Sequence, residues 1–227
     1  MAEADAAGRR EALVELYERA SACTLCPLSE SRSKVVFGAG NADAELMFVG
    51  EAPGAEEDRQ GLPFVGRAGI LLNELLAEVG LKREDAFVAN VLKCKPPGNR
   101  DPQPLEIETC RPYLERQIEL IEPKLICTLG NFSTKLLTGS PTGITRVRGS
   151  AQQHVLGGRK VTLLPLFHPA AGLRTAAVKE TLREDFKLIP ALIEQPPHER
   201  VDLEPEPEPG PDRERASAEP DQLGFFG

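Results

Sequence analysis

No stretch of the 227 residues approaches the roughly 18 consecutive apolar side chains that a membrane-spanning helix needs. The opening, Met1 to Arg10, is polar and has no apolar core of the kind a secretory signal carries. A cytoplasmic protein is expected. No segment repeats, which sets aside solenoids and propellers. Cysteine is sparse at five, and in a cytosolic chain that points to metal or redox chemistry before disulfides. Bases are outnumbered, giving a net charge of −8, a weak argument against a nucleic-acid partner. The imbalance is local, however. From Gln195 onward nine acids face three bases, so residues 1–194 are close to neutral and can still present a local basic groove. That length suits one domain with a full core.

What the chain does have is an alternation of short apolar runs and helical patterns. A helix is expected over Ala7–Ala22, with Leu13, Leu16 and Tyr17 on one face. Strands are expected at Glu45–Val49, within Asp85–Leu92, at Lys124–Leu129 and at Lys160–Leu166, the last paired in a hairpin with His154–Leu156 through Gly157-Gly158. Helices are expected from Arg67 to Val79, from Pro104 to Ile121, from Phe132 to Leu137 and from Thr175 to Ile193. Residues 28–44, 93–103 and 138–150 read as loops. Strands alternating with helices imply an α/β fold with a parallel sheet covered on both faces. The segments just after the strands then converge on one sheet edge, where such folds bind ligands. Those segments are 50–66, Asn90 to Arg100, Gly130-Asn131, and His168 to Arg174.

The first of these is the most unusual. Gly50-Glu51-Ala52-Pro53-Gly54, Glu57-Asp58 and Gly61-Leu62-Pro63-Phe64-Val65-Gly66 make a strand-to-helix loop with four glycines and two prolines. Loops this long between short elements are usually functional or disordered, and Phe64 and Val65 argue for order. The cysteines form a second pattern. Cys23 and Cys26 are a C-x2-C pair, Cys94 and Cys110 are separated by fifteen intervening residues, and Cys127 lies in an apolar strand as a core thiol. Four thiols remain for one site. A tetrahedral sulfur set suits zinc or a [4Fe–4S] cluster, and spacing does not choose between them. Its role would be to pin the N-terminal helix to the 94–110 segment.

Taken singly, these features have ordinary readings. An Asn after a strand is commonly a turn residue, a His-Pro at a strand end a satisfied loop pair, and alternating arginines a solvated face. In order along one chain they resemble the family 4 uracil-DNA glycosylases. The resemblance rests on Gly50-Glu51-Ala52-Pro53-Gly54 with Glu57-Asp58, Leu62-Pro63-Phe64-Val65-Gly66, Asn90 before Lys93-Cys94, and His168-Pro169-Ala170 with Leu173-Arg174, and covers about residues 10–193. It implies a three-layer α/β/α fold with a four-stranded parallel sheet. It also implies a [4Fe–4S] cluster on Cys23, Cys26, Cys94 and Cys110 in preference to zinc.

By that resemblance Phe64 is the platform for a flipped uracil, Asn90 reads its polar edge and His168 contacts a uracil carbonyl. Ala52 contributes backbone. Glu51 and Glu57 are polar wall residues that orient water or exclude the thymine methyl. A related family has an aspartate at the position of Ala52, working at the sugar, so this chain departs from that pattern. Leu173 and Arg174 form the wedge that fills the vacated stack. Lys93, Lys95, Arg100, Arg146 and Arg148 are placed on phosphates. A subgroup of relatives carries a histidine in an insert after the second strand that becomes linked to DNA. The segment Asn90–Cys110 has none, so ordinary turnover is expected. The expected partner is uracil-containing DNA, single- or double-stranded, the expected state a monomer, and the expected location the nucleoid. Two competing readings are a non-catalytic iron–sulfur DNA-binding module and a zinc-stabilised enzyme acting on free nucleotides.

From Gln195 the composition changes to seven prolines, many acids and little to bury, so residues 195–227 are expected to be a disordered linker. The chain closes on Gln222-Leu223-Gly224-Phe225-Phe226, which resembles the Gln-Leu-x-Leu-Phe peptides that dock on the bacterial β sliding clamp.

Overall fold

The computed structural model describes residues 6–196. The elements in chain order are α1 (Ala6–Ser21), α2 (Leu28–Ser31), β1 (Ala39–Gly40), β2 (Leu46–Gly50), α3 (Ala55–Gln60), α4 (Arg67–Glu78), β3 (Ala86–Asn90), α5 (Pro104–Ile121), β4 (Leu125–Leu129), α6 (Asn131–Thr138), α7 (Ile144–Val147), β5 (Gln152–Leu156), β6 (Arg159–Leu166), α8 (Pro169–Gly172), α9 (Ala176–Phe186) and α10 (Ile189–Ile193). The sheet order is β1-β3-β2-β4-β6-β5. Its four inner strands, β3, β2, β4 and β6, are all parallel, as expected. The sheet has six strands rather than four because β1 and β5 add antiparallel edges.

Strand period sets the layers. Along β2, Leu46 and Phe48 face a core with Leu71, Leu72 and Leu75 of α4 and Leu182 and Phe186 of α9. Met47 and Val49 face the opposite core, with Leu114 and Ile118 of α5. Helices therefore cover both faces of the sheet. Cys127 is fully buried in β4, where burial pushes its thiol far up and leaves it a packing group. Leu16 and Ala20 of α1 enter a smaller core with Phe37 and Leu120, while Tyr17 stays half exposed with its ring edge-on to Phe37.

The register aligns the carboxyl ends of the parallel strands. Gly50 pairs with Asn90 across β2 and β3, and Leu129 pairs with Leu166 across β4 and β6. The loops that follow them leave from one edge. Local features depart from the sequence reading: the expected 28–44 loop holds α2 and β1. The 50–66 loop contains the short helix α3, ended by Gly61 in the left-handed region. Residues 144–147 of the expected 138–150 loop form α7. The last helix is interrupted between Phe186 and Ile189, just before Pro190, and becomes α9 and α10. Among the described residues no helix is long and apolar enough to cross a membrane. The expected tail beyond Pro196, including Gln222, Leu223, Phe225 and Phe226, lies outside the described residues.

Candidate active site

A cleft of about 490 Å3 opens at the carboxyl edge of the parallel strands. Glu51, Ala52 and Glu57 reach it from the segment after β2, Phe64 from the approach to α4, Asn90 from the end of β3, and His168 from the end of β6. Six residues from three separate segments of the chain thus share one space.

Asn90 is 1 % exposed, and its side-chain Oδ1 has no hydrogen-bond partner. A buried polar atom left unpaired costs about 1–3 kcal/mol, so this oxygen marks a place kept for a donor. Crowding around it requires Gly50. A Cβ there would lie 2.4 Å from Asn90 Oδ1 and 2.7 Å from the Phe64 ring.

Phe64 is buried and has φ of +53°, a left-handed conformation that costs a bulky residue about 1–2 kcal/mol. Its surroundings hold it there. Glu57 Oε1 accepts hydrogen bonds from the main-chain N–H groups of Val65 (3.0 Å) and Gly66 (2.8 Å). The first turn of α4 packs against the Phe64 carbonyl so closely that a Cβ on Gly69 would sit 1.7 Å from that oxygen. Glu57 is therefore a brace of the loop as well as a wall of the cleft.

The His168 ring stacks on Phe64 with centroids 5.5 Å apart and planes at 30°. Its Nδ1 accepts the Ala170 main-chain N–H at 3.1 Å, which places the proton of the neutral ring on Nε2. Burial lowers its pKa to about 4, with Glu57 opposing and Arg174 assisting that shift. The ring is thus a neutral donor at physiological pH. Glu51 is shifted the other way, upward, by burial and then by the neighbouring Asp101. A carboxylate with a raised pKa is a better base toward water.

A second cavity lies where α1, the segment before α2, the turn after β3 and α5 meet. Cys23, Cys26, Cys94 and Cys110 all line it, together with Arg32, Lys93 and Tyr113. Arg32 Nη1 donates to Cys94 Sγ at 3.3 Å, and the Lys93 main-chain N–H donates to Cys110 Sγ at 3.2 Å. Both contacts suit sulfurs that carry negative charge. Among the described residues no three His, Cys, Asp or Glu side chains converge on a point tightly enough to hold one metal ion. The four thiols surround a space instead.

The Uracil DNA glycosylase superfamily model matches residues 37–187. The type-4 uracil-DNA glycosylase of Archaeoglobus fulgidus is 44% identical over 183 residues, covering 79% of this chain and 92% of the relative. That of Thermotoga maritima is 45% identical over 190 residues, covering 82% and 97%. That of Sulfurisphaera tokodaii is 43% identical over 197 residues, covering 85% and 90%. The chain belongs to the type-4 uracil-DNA glycosylases.

Membership in that family directs attention to the groups assigned to DNA. Arg174 and Arg100 line the cleft, and Leu173 is 39% exposed beside Arg174. The Arg100 guanidinium also grips buried Glu106 through two hydrogen bonds, 3.0 and 2.5 Å, which secures the start of α5. Arg146 is exposed on α7. Arg148 is paired with Asp185 and lies over the Phe167 ring, so it fastens α9 to the end of β6. Neither Arg146 nor Arg148 lines the cleft. Lys93 departs from its expected role altogether. It is 2% exposed and its Nζ is held inside the protein, so it cannot reach a phosphate. Sequence reasoning also missed Asn99 and Asp101 on the cleft wall and Arg83, whose Nη2 donates to the Pro63 carbonyl at 3.0 Å. A polar turn rich in proline was the only signal for the first two. Nothing in the sequence marks Arg83.

Proposed function

We propose that residues 1–194 flip uracil out of DNA and hydrolyse its N-glycosidic bond, leaving an abasic site in an uncut strand. The observation that carries this is the convergence of the unpartnered Asn90 Oδ1, Phe64 and a neutral His168 in one cleft. Uracil offers an N3–H donor beside its O4 acceptor. An amide can meet both, accepting through Oδ1 and donating through Nδ2. Cytosine has an acceptor at N3 and would leave Oδ1 facing a lone pair, a mismatch a buried site rejects strongly. Flipping costs a few kcal/mol, least where the base is mispaired, as uracil is opposite guanine. Arg174 lines the cleft and its chain neighbour Leu173 is 39% exposed, which supports the pair as the wedge that would fill the vacated stack.

In the reaction the C1′–N1 bond breaks and its electron pair passes to the base. The sugar becomes cationic and uracil anionic. His168 Nε2–H stabilises the anion by donating to a uracil carbonyl oxygen, without having to lose or gain a proton. Water adds to C1′, its proton leaving toward Glu51, whose raised pKa suits a base. No lysine lines the described cleft, which supports attack by water rather than Schiff-base chemistry. Incubation with uracil-containing oligonucleotides, single- and double-stranded, should therefore give alkali-labile sites and free uracil, with no covalent product trapped by borohydride. A trapped enzyme–DNA adduct would rule out the monofunctional route, and no alkali-labile sites would rule out excision.

The same reading gives Cys23, Cys26, Cys94 and Cys110 a [4Fe–4S] cluster. The four-sulfur donor set and the two hydrogen bonds onto its sulfurs suit thiolate ligands, and the family resemblance favours a cluster over a single zinc ion. When bound, it would supply iron–thiolate bonds that cross-link the turn after α1 to the segment after β3 and to α5.

For residues 195–227 the reading rests on sequence. The acidic, proline-rich stretch would act as a tether and Gln222-Leu223-Gly224-Phe225-Phe226 as a docking peptide for the sliding clamp. This would raise the enzyme's local concentration at replicating DNA in the nucleoid. The 215–227 peptide should bind a purified bacterial clamp, and a Gln222→Ala/Phe226→Ala control should not. Equal binding by both, or none at high micromolar concentration, refutes the docking role while leaving excision untouched.

A further inference from the structure

Lys93 is removed from the DNA surface by its burial, and no step above uses it. Its side chain nonetheless ends at a functional atom. Lys93 Nζ donates to the Asn90 main-chain carbonyl at 2.8 Å and to Gln117 Oε1 at 2.6 Å. Gln117, fully buried on α5, in turn donates through Nε2 to the Phe37 carbonyl at 2.9 Å. The Lys93 main chain is fixed at both poles. Its N–H donates to Cys110 Sγ at 3.2 Å, and its carbonyl accepts from Val36 N–H at 2.8 Å. Cys110 and Gln117 lie on one helix. Lys93 thus has its main chain on the cysteine cavity and its ammonium on the residue that reads the base.

We propose that Lys93 is a positioning residue for Asn90: by clamping the Asn90 carbonyl at the end of β3 it fixes the direction in which the Asn90 amide faces the base. This rests on the reading of Asn90 given above. The Asn90 side chain has no hydrogen bond to hold Oδ1 in place, so its aim depends on its own main chain and on packing against Gly50 and Phe64. The carbonyl that Lys93 grips is where β3 leaves the sheet and the chain turns toward Cys94. The other edge of the same peptide is held by the bond from Val91 N–H to the Gly50 carbonyl at 3.0 Å, so Lys93 completes a two-sided clamp on the plane that carries the Asn90 side chain, and its loss leaves that plane held from one side alone. Gln117 keeps the ammonium from turning elsewhere.

The test uses cluster-loaded full-length protein. Lys93→Met keeps the stem and removes the donors. It should lower the single-turnover excision rate about 10–100-fold, the range for losing a group that orients a site residue. It should weaken binding of free uracil in parallel and change affinity for an uncleavable uracil-containing duplex by less than about threefold, since phosphate contacts are untouched. Visible absorbance of the cluster should remain. The decisive measurement is the cycle with Asn90→Ala. If Lys93 acts through Asn90, Lys93→Met should add no further loss in that background. An equal loss in both backgrounds, or loss of rate in proportion to loss of absorbance, makes Lys93 a stabiliser of the fold or cluster and overturns the proposal. Should Lys93→Met not fold, Gln117→Met carries the same cycle with a smaller effect in the same direction. Wild-type protein that neither excises nor binds uracil would instead defeat the functional reading. Wild-type activity with a Lys93→Met variant equal to it would defeat this one.

Discussion

Asn90→Ala and His168→Ala should each lower single-turnover uracil excision by about 10²–10³-fold, the usual effect of deleting one preorganised donor to a developing charge. Affinity for duplex DNA should change little, because the phosphate contacts come from other residues. In Asn90→Ala the site loses the oxygen it keeps unpaired for the base. In His168→Ala it loses Nε2–H, whose direction is set by the Ala170 N–H on the far side of the ring. Parallel loss of rate and DNA affinity would show that these residues bind DNA rather than act on the base. The pH dependence follows from the same ring. With its pKa lowered to about 4 by burial, His168 is neutral from physiological pH down through the range in which an ordinary imidazole charges. The rate should therefore show no His168 titration near 6.5 and should be sensitive to it only as pH approaches about 4. Stability runs with the same sign. Between about 6.5 and 4 the unfolded chain takes up a proton that folded His168 refuses, so its contribution is complete above that window and is lost as pH falls through it. A rate profile with a His168-dependent step near 6.5 would mean the ring works as a charged group.

The other large effect concerns the cysteine cavity. Purified without oxygen, the protein should be yellow-brown and contain iron and sulfide. Cys94→Ala should bleach it and lower Tm by roughly 10 °C, a loss of about 3–5 kcal/mol at the ~2–4 °C per kcal/mol of a chain this size. Cys94 is the most buried of the four and also accepts from the half-buried Arg32, so its loss removes that contact as well. Cys127→Ala, in the core of β4, should keep the colour. A colourless protein with stoichiometric zinc would sink the iron–sulfur assignment.

Much of this was legible because the relevant signals are local. Four apolar runs separated by helix patterns suffice for four parallel strands, and the glycine-rich loop stands directly after the first. The edge strand β1 escaped because two residues carry no alternation. Helix α3 escaped because Ala55-Glu56-Glu57-Asp58-Arg59-Gln60 has no apolar stripe, although its acidic first turn and the following Gly61 were usable signals. Lys93 was misplaced for a deeper reason. A lysine beside loop residues is ordinarily solvated, and only the approach of Gln117, 24 residues away, gives its ammonium somewhere to go inside the protein. Glu57 was similarly half legible: its place in the cleft followed from the motif, but its grip on Val65 and Gly66 exists only once the loop has closed.

That grip bears on how this chain could change over evolutionary time. Phe64 is kept at a backbone angle that glycine or asparagine would occupy with less strain. Either replacement relaxes the backbone by about 1–2 kcal/mol but empties a buried place in the core at about 3–5 kcal/mol, so packing alone favours the strained phenylalanine. Variants selected only for heat resistance should therefore keep a large apolar side chain at position 64, and the strain there persists with or without selection for the reaction.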